Sequence, residues 1–331
     1  MKLLVTGGLG FIASNFILKL LKESSNFEII NVDAELHGAD KNNLSEIQNN
    51  EKYEFVKGNI TNRRLMEELI SKCDAVVNFA AESFVDRSID NADPFLVSNI
   101  RGSFTILDII TKQKKRMIQI STDEVFGSLS TGTATEKSQL NPSNPYAATK
   151  AAAELLIKSY VSTHNSDVII TRCTNNYGPR QFPEKLIPKV IILANQSNEI
   201  PIYGKGVNIR DWIHVDDHCD AVLMALLNGK SGESYNISAN NEVDNLTIVN
   251  KILKLMNKPQ NLIKFVEDRP GHDLRYSMDS QKISNDLGWK IKTSFDDGLK
   301  NTINWYLNNP EILNKIHLET VQDTTPWKSS N

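Results

Sequence analysis

The chain has 331 residues, 40% of them hydrophobic and 23% charged, and a formal net charge of −3. That length holds one large α/β domain, alone or with a smaller partner, and buries a sufficient core without disulfides or metal. The charge balance offers no basic footprint for nucleic acid, and no apolar run approaches the ~20 residues that span a bilayer.

The N-terminus runs from Met1 straight into a strand-like segment, which leaves no room for a signal peptide. Cys73, Cys173 and Cys219 are scattered and odd in number, as in a reducing compartment, so a cytoplasmic protein is expected. Short apolar runs bounded by polar residues predict strands over 2–6, 28–32, 53–57, 75–78, 117–121 and 168–172. Between them, 11–22, 63–72, 94–112 and 146–163 carry apolar residues at helical spacing. Strands alternating with helices imply parallel pairing and right-handed crossovers, hence an α/β fold with a Rossmann-like doubly wound sheet. After about Thr174 the texture changes, with Pro179, Pro183, Pro188 and Pro201 punctuating the chain. Helical patterns follow at 216–227, 246–255 and 295–307, with strand candidates at 234–237 and 263–266. The expected division is a nucleotide-binding domain over 1–174, with some return crossings from the C-terminal half, and a smaller mixed α/β substrate lobe over 175–331. The tail from about Asn314 is polar and aperiodic and reads as irregular.

Gly7-Gly8-Leu9-Gly10-Phe11-Ile12-Ala13 follows the first strand and opens the first helix. Glycines at 7 and 10 permit a tight turn and let the helix N-terminus approach a pyrophosphate, while Ala13 fills the third small position. Asp33 ends the next strand, where a carboxylate accepts from a ribose 2′-hydroxyl and repels a 2′-phosphate, so NAD is expected rather than NADP.

Ser121-Thr122-Asp123-Glu124-Val125-Phe126-Gly127 follows the fifth predicted strand, at the sheet end where open α/β folds bind ligands. Tyr146-Ala147-Ala148-Thr149-Lys150 starts a long helix, and the four-residue spacing puts Tyr146 and Lys150 on one face. A free phenol titrates near pH 10, so a cation and the positive nicotinamide must lower it before it serves as a base.

With these residues in view, the chain resembles the extended short-chain dehydrogenases/reductases, and among them the nucleotide-sugar 4,6-dehydratases of the dTDP-glucose type. The likeness runs from Val5-Thr6-Gly7 to Trp305-Tyr306-Leu307. Its specific blocks include Ala80-Ala81-Glu82-Ser83, Val85-Asp86-Arg87-Ser88-Ile89, Thr171-Arg172-Cys173, Asn175-Asn176-Tyr177-Gly178-Pro179, Arg210-Asp211-Trp212 and Asp268-Arg269-Pro270-Gly271-His272-Asp273. The adjacent pair Asp123-Glu124 separates this group from the epimerases, which share the Tyr/Lys helix. The resemblance implies a lyase, with Thr122, Asp123, Glu124, Tyr146 and Lys150 as the catalytic set. Tyr146 takes the 4-hydroxyl proton, Glu124 the C5 proton, and Asp123, kept neutral, protonates the departing 6-hydroxyl. Two neighbouring carboxyl groups resist ionising together, which permits one acid and one base.

It further implies NAD held through Gly7, Gly10, Phe11, Ile12, Asp33, Asn59, Ile60, Ala80, Ala81, Ser98, Tyr146, Lys150 and Asn176. Ser83 and Thr122 are expected near the sugar, and Asn175, Lys185, Leu186, Pro201, Tyr203, Arg210, Asn245, Arg269 and His272 around the nucleoside diphosphate, with Arg as the bidentate anion clamp. The chain departs from the family pattern at four places. Phe84 stands where histidine is usual, Asp33–Gly38 differs from the common stretch, Asn59 replaces an aspartate while keeping an amide oxygen for the adenine amino group, and Arg180 follows Gly-Pro. Positions 84 and 180 are expected close to the sugar. His214-Val215-Asp216-Asp217-His218 has metal-like spacing but opens a helix, so no metal is expected. The resemblance also implies a homodimer through a four-helix bundle of 94–112 and 146–163, with Ile100, Phe104, Leu107, Leu155 and Ile157 as apolar contacts. Two other readings stand beside it: a UDP-sugar 4,6-dehydratase (of UDP-glucose or UDP-N-acetylglucosamine), with or without C5 epimerisation, and a catalytically silent NAD-binding regulator.

Overall fold

In the computed structural model, which describes residues 1–24, 26–315 and 325–328, the six predicted strands of the first half all form. They are β1 (Lys2–Thr6), β2 (Glu28–Asp33), β3 (Tyr53–Lys57), β4 (Ala75–Asn78), β5 (Arg116–Thr122) and β6 (Val168–Cys173). Central runs such as Leu3-Leu4-Val5 and Ala75-Val76-Val77 lack polar alternation because helices cover both faces and bury them all. The strand β5 extends one residue beyond expectation at each end, so Thr122 closes the strand instead of following it.

The helices of this half are α1 (Phe11–Glu23), α2 (Arg63–Ser71), α3 (Val85–Asp90), α4 (Asp93–Phe95), α5 (Ser103–Gln113) and α6 (Pro145–His164). The helix expected over 94–112 is interrupted: α4 and α5 flank a π-helical stretch, Leu96–Gly102. One inserted residue per turn rotates the register, and here Ser98 lines a pocket while Asn99 is buried and bonds Glu82 and Thr149. The start of α6 is set locally: Asn144 caps it by accepting from Ala147 N–H, and Pro145 occupies the first turn.

The second half contributes β7 (Asn175–Tyr177), α7 (Leu186–Asn195), β8 (Ile200–Tyr203), β9 (Ile209–His214), α8 (Val215–Asn228), β10 (Ser234–Ile237), β11 (Glu242–Asp244), α9 (Asn245–Leu255), β12 (Ile263–Val266), α10 (Gln281–Leu287), α11 (Phe295–Leu307) and α12 (Pro310–Lys315). The main sheet is seven-stranded and parallel, in the order β10-β6-β5-β4-β1-β2-β3. Two elements read as part of the small lobe therefore belong to the large layer, for β10 pairs with β6 and α8 packs beside α1. One face of the sheet buries α1 and α8, and the other buries α2, α5 and α6. A separate core around Ile191, Ile248, Leu299 and Trp212 joins α7, α9 and α11 to the small sheets β11-β9-β7 and β12-β8.

Of the five residues expected at a dimer contact, Leu107 and Ile157 point inward and are fully buried against the sheet. The apolar groups left outside are Leu155, Leu96 and Val97, with Ile100 and Phe104 half-buried. The expectation of an irregular tail falls mainly on 316–324 and 329–331, outside the described residues, whereas Asn314 and Lys315 end α12 and Pro326–Lys328 form a 3-10 turn.

Candidate active site

The strand order reverses between β1 and β4, and a crevice opens there at the carboxyl ends of the strands. Gly7 stands on one side with φ +69, and a Cβ added to it would come 2.8 Å from the backbone of Ala80 on the other. Gly10 caps α1 with extended backbone and no side chain, and the first turn-closing bond is Ser14 N–H to Gly10 C=O. The N–H groups of Phe11, Ile12 and Ala13 thus have no helical acceptor and face an anion site. Asp33 is anchored from both oxygens, by Leu9 N–H at 3.0 Å and Glu35 N–H at 2.7 Å, and burial pushes its carboxyl upward.

All thirteen residues expected to hold NAD line this first pocket. The arrangement fits a dinucleotide: a glycine whose Cβ would fill the cradle, open helix-terminal donors and a carboxylate at the next strand end. Asn59 departs in detail. Its Oδ1 accepts from both the backbone N–H (2.9 Å) and the hydroxyl (2.8 Å) of Thr61, so the group left to face a ligand is the amide NH₂, a donor.

A second pocket adjoins the first. Leu186, Pro201, Tyr203, Arg210, Asn245, Arg269 and His272 line it, while Asn175, Lys185, Phe84 and Glu124 line both. Ser83 and Thr122 line the first pocket only. Arg210 is not a free fork: its guanidinium donates to the carbonyls of Ile209, Leu274 and Asp273 and stacks over Tyr276 at 4.2 Å. Arg269 donates to Asp86 at 2.9 Å, and its buried Nε has no acceptor among the described residues. Lys185 donates to Ser83 C=O at 2.8 Å and lies over the Phe84 ring. Burial pulls the His272 imidazole down to about 4, with Arg269 adding to the shift.

The expected catalytic residues meet where the pockets join. The Thr122 hydroxyl donates to Asp123 at 3.1 Å and accepts from Glu124 N–H, capping the 3-10 turn Asp123–Phe126. Burial, with Glu124 next in size, pushes Asp123 up to about 8. Glu124 accepts from Asn144 at 3.2 Å, and the Tyr276 hydroxyl, which donates to Asp273 at 2.6 Å, lies 3.4 Å from the same carboxylate oxygen. Tyr146 and Lys150 project from α6 into the same pocket. The Lys150 ammonium donates to the Ile120 carbonyl at 2.6 Å, and burial draws its pKa down to about 8. Burial, then the Glu124 charge, pushes the Tyr146 phenol well above its ordinary value.

Sequence reasoning passed over Asn144, which holds Glu124, Asp86, which holds Arg269, and Tyr276, which carries the Arg210 guanidinium on its ring beside Glu124. The Asn-Pro step before α6 announces a capping residue, and Asp86 lies inside a matched block; Tyr276 carries no comparable sign. Of the two departures expected near the sugar, Phe84 lines both pockets, but Arg180 lines neither. It turns away at φ +69 and binds Asn43 C=O, Asn15 and Glu46 while stacking on Trp305. Among the described residues no group of three or more His, Cys, Asp or Glu is placed to hold a metal. His214 instead caps α8, and His218 is buried against Asn176.

A family model described as GDP-mannose 4,6 dehydratase matches residues 4–302. The low-salt glycan biosynthesis protein Agl12 of Haloferax volcanii is 46% identical over 312 residues, spanning 94% of this chain and all of that protein. The dTDP-glucose 4,6-dehydratase of Bacillus anthracis, solved in complex with NAD, superposes with a TM-score of 0.89 at 42% identity, over 94% of this chain and 98% of that one. DesIV, the dTDP-glucose 4,6-dehydratase of Streptomyces venezuelae, also solved with NAD, gives 0.92 at 41% identity with the same coverage.

Proposed function

The chain belongs to the GDP-mannose 4,6 dehydratase family, and on that footing we propose that it is an NAD-dependent 4,6-dehydratase converting dTDP-glucose to its 4-keto-6-deoxy product. The observation that carries this reading is Glu124 lining both pockets with the buried carboxyl group of Asp123 beside it. Residues 1–174 supply most of the cofactor contacts, with Asn176 added to them and α8 and β10 returning to that layer, and 175–331 supply most of the nucleotide-sugar contacts. The names of the relatives favour dTDP-glucose over a UDP-sugar, and the intact set Thr122, Asp123, Glu124, Tyr146 and Lys150 argues against a silent regulator.

When bound, NAD would supply an acceptor for hydride from C4 and, reduced, a donor of hydride to C6. Tyr146 receives the 4-hydroxyl proton; its phenol is held high by burial, so positive charge brought beside it is needed to populate the base. Lys150 and Thr122 border the same volume, where the ammonium favours the phenolate and the hydroxyl, turned from Asp123, donates to it or to the sugar oxygen. With a ketone at C4 the C5 proton becomes acidic; Glu124 removes it, and gives a proton back to C5 when hydride reaches C6. Asp123, neutral below about pH 8, gives its proton to the departing 6-hydroxyl. Lys185, Arg210 and Arg269 gather positive charge for the diphosphate.

The unpaired apolar strip of Leu96, Val97 and Leu155 supports a homodimer built on the Leu96–Gly102 stretch and α6, to be checked by light scattering. No helix among the described residues is long and apolar enough to cross a membrane, and the free, buried Cys73, Cys173 and Cys219 support a cytoplasmic setting. The deciding experiment is incubation with dTDP-glucose, UDP-glucose and UDP-N-acetylglucosamine, scored by product mass. Loss of water from dTDP-glucose without net NADH is the expected result; stoichiometric NADH, or no loss of water from any of the three, overturns the reading.

A further inference from the structure

One end of the second pocket is closed by the far C-terminus of the chain. Pro326 lines it together with Tyr203, Arg269 and His272. The next residue, Trp327, is 6% exposed, and its ring meets Tyr203 edge-on with centroids 5.2 Å apart. An edge-to-face pair at that separation holds both ring planes. Lys328 then grips both carboxylate oxygens of Glu267, at 2.9 and 2.8 Å, and the turn as a whole packs on α3.

These contacts converge on one arginine. The Tyr203 hydroxyl donates to Asp86 of α3 at 3.2 Å, and the other Asp86 oxygen accepts from Arg269 at 2.9 Å. Glu267, held by Lys328, stands two residues before Arg269. The Arg269 Nε is buried on a pocket-lining residue with no acceptor among the described residues, a donor suited to an anionic oxygen. The terminal turn thus touches the strand end, the helix and the loop that together fix this guanidinium.

We propose that the turn Pro326–Lys328 is a built wall of the nucleotide site, and that Trp327 is a positioning residue that aims Arg269 through Tyr203 and Asp86. This rests on reading the second pocket as the nucleoside diphosphate site. The test uses the full-length, NAD-loaded protein with dTDP as the calorimetric probe, comparing wild type, Trp327→Ala and Trp327→Phe. Trp327→Ala is expected to weaken dTDP by ~10-fold or more and raise KM for dTDP-glucose similarly, while kcat moves less than ~3-fold. Bound NAD and the thermal midpoint stay near wild type, and Trp327→Phe, which keeps an aromatic edge against Tyr203, recovers most of the affinity. If Trp327→Ala binds dTDP as wild type does, the proposal fails and the pocket assignment stands. If dTDP affinity, bound NAD and thermal midpoint fall together in both variants, the tryptophan is only a brace and the proposal fails again. A wild-type protein that binds no dTDP sinks the pocket assignment and this inference with it.

Discussion

The first pocket is shaped largely by backbone, whereas the second is a set of charged side chains that hold one another. In the first, a tight turn at Gly7, open N–H groups at the start of α1 and the approach of Ala80 define the volume. In the second, Asp86 fixes Arg269, three carbonyls fix Arg210, and Ser83 C=O fixes Lys185. The cradle at the heart of the first comes from one local turn, although the pocket around it draws on segments as distant as Lys185. The second needs segments far apart in sequence, here around 86, 185, 203, 210, 269 and 326. The chemistry sits at their junction, so changes there ought to cost the most.

Substitutions at the junction test that directly. Tyr146→Phe removes the base for oxidation at C4, and neither enzyme-bound reduced cofactor nor product is expected at a useful rate. Glu124→Gln leaves Tyr146 and Lys150 in place. Reduced-cofactor absorbance in a single turnover should persist while water elimination slows by ~10²–10⁴-fold, the usual worth of a positioned base. Equal loss of both signals in the two variants would abolish the division of labour between them.

A change on the backbone side sharpens the contrast. Gly7→Ala places a Cβ 2.8 Å from the backbone of Ala80 in a left-handed conformation that disfavours side chains. Strain of ~1–3 kcal/mol follows, read as an NAD affinity lower by about 10–100-fold, with dTDP binding changed far less. Parallel losses of both ligands would mean the two pockets are not separable units.

How much of this was legible in the sequence follows the same line. The parallel sheet and the glycine turn were readable because they rest on local signals: apolar runs of strand length, Gly7 and Gly10 between strand and helix, and Asp33 at the next strand end. The π stretch at Leu96–Gly102 was not, since its sequence keeps helical apolar spacing and only the contacts of Asn99 reward the extra residue. The place of β10 in the main sheet was also hidden, because a four-residue strand carries no mark of its partner. Resemblance to a family supplied the nucleotide-side residues, which local pattern alone would leave as solvated surface. Asp86 and Tyr276 meet Arg269 and Arg210 across long stretches of sequence and escaped, while Asn144, legible as the cap of α6, gave no sign of its bond to Glu124.

The pH dependence should differ between the two half-reactions. The Asp123 pKa is raised above its ordinary value, by burial first and Glu124 second, to about 8, so the side chain is neutral below that pH and loses its proton above it. Thr122, Arg210 and Asp211 also act on it, and Lys150 titrates in the same range. Water elimination should therefore fall about tenfold per pH unit above ~8, a limb that Asp123→Asn removes along with most of the rate. A substrate whose 6-substituent leaves without a proton, such as 6-fluoro, should lose the Asp123 part of that limb and keep any part due to Lys150. An identical alkaline limb for both substrates would remove Asp123 from the role of acid.

The smallest effect is expected at Arg180, a position that the sequence places near the sugar and the fold does not. Its guanidinium ties the small lobe to the large one: it binds Asn43 C=O at 3.1 Å and Glu46 at 2.9 Å and stacks on the Trp305 ring at 5.6 Å. Glu46 is half exposed, so that ion pair is screened and contributes little, while the carbonyl bond and the stacking on Trp305 are better sheltered. Arg180→Ala should lower stability by about 1–2 kcal/mol through those lost contacts. Because it lines neither pocket, kcat and KM should stay within about twofold of wild type, since surface-tie losses act on folding and not on transition-state binding. Arg180→Lys should restore little, because an ammonium cannot reproduce the planar stack or the spread of donors over Asn43 and Glu46. A change in sugar preference with unchanged thermal stability would return Arg180 to the substrate site and mean that the two lobes sit differently once the nucleotide sugar is bound.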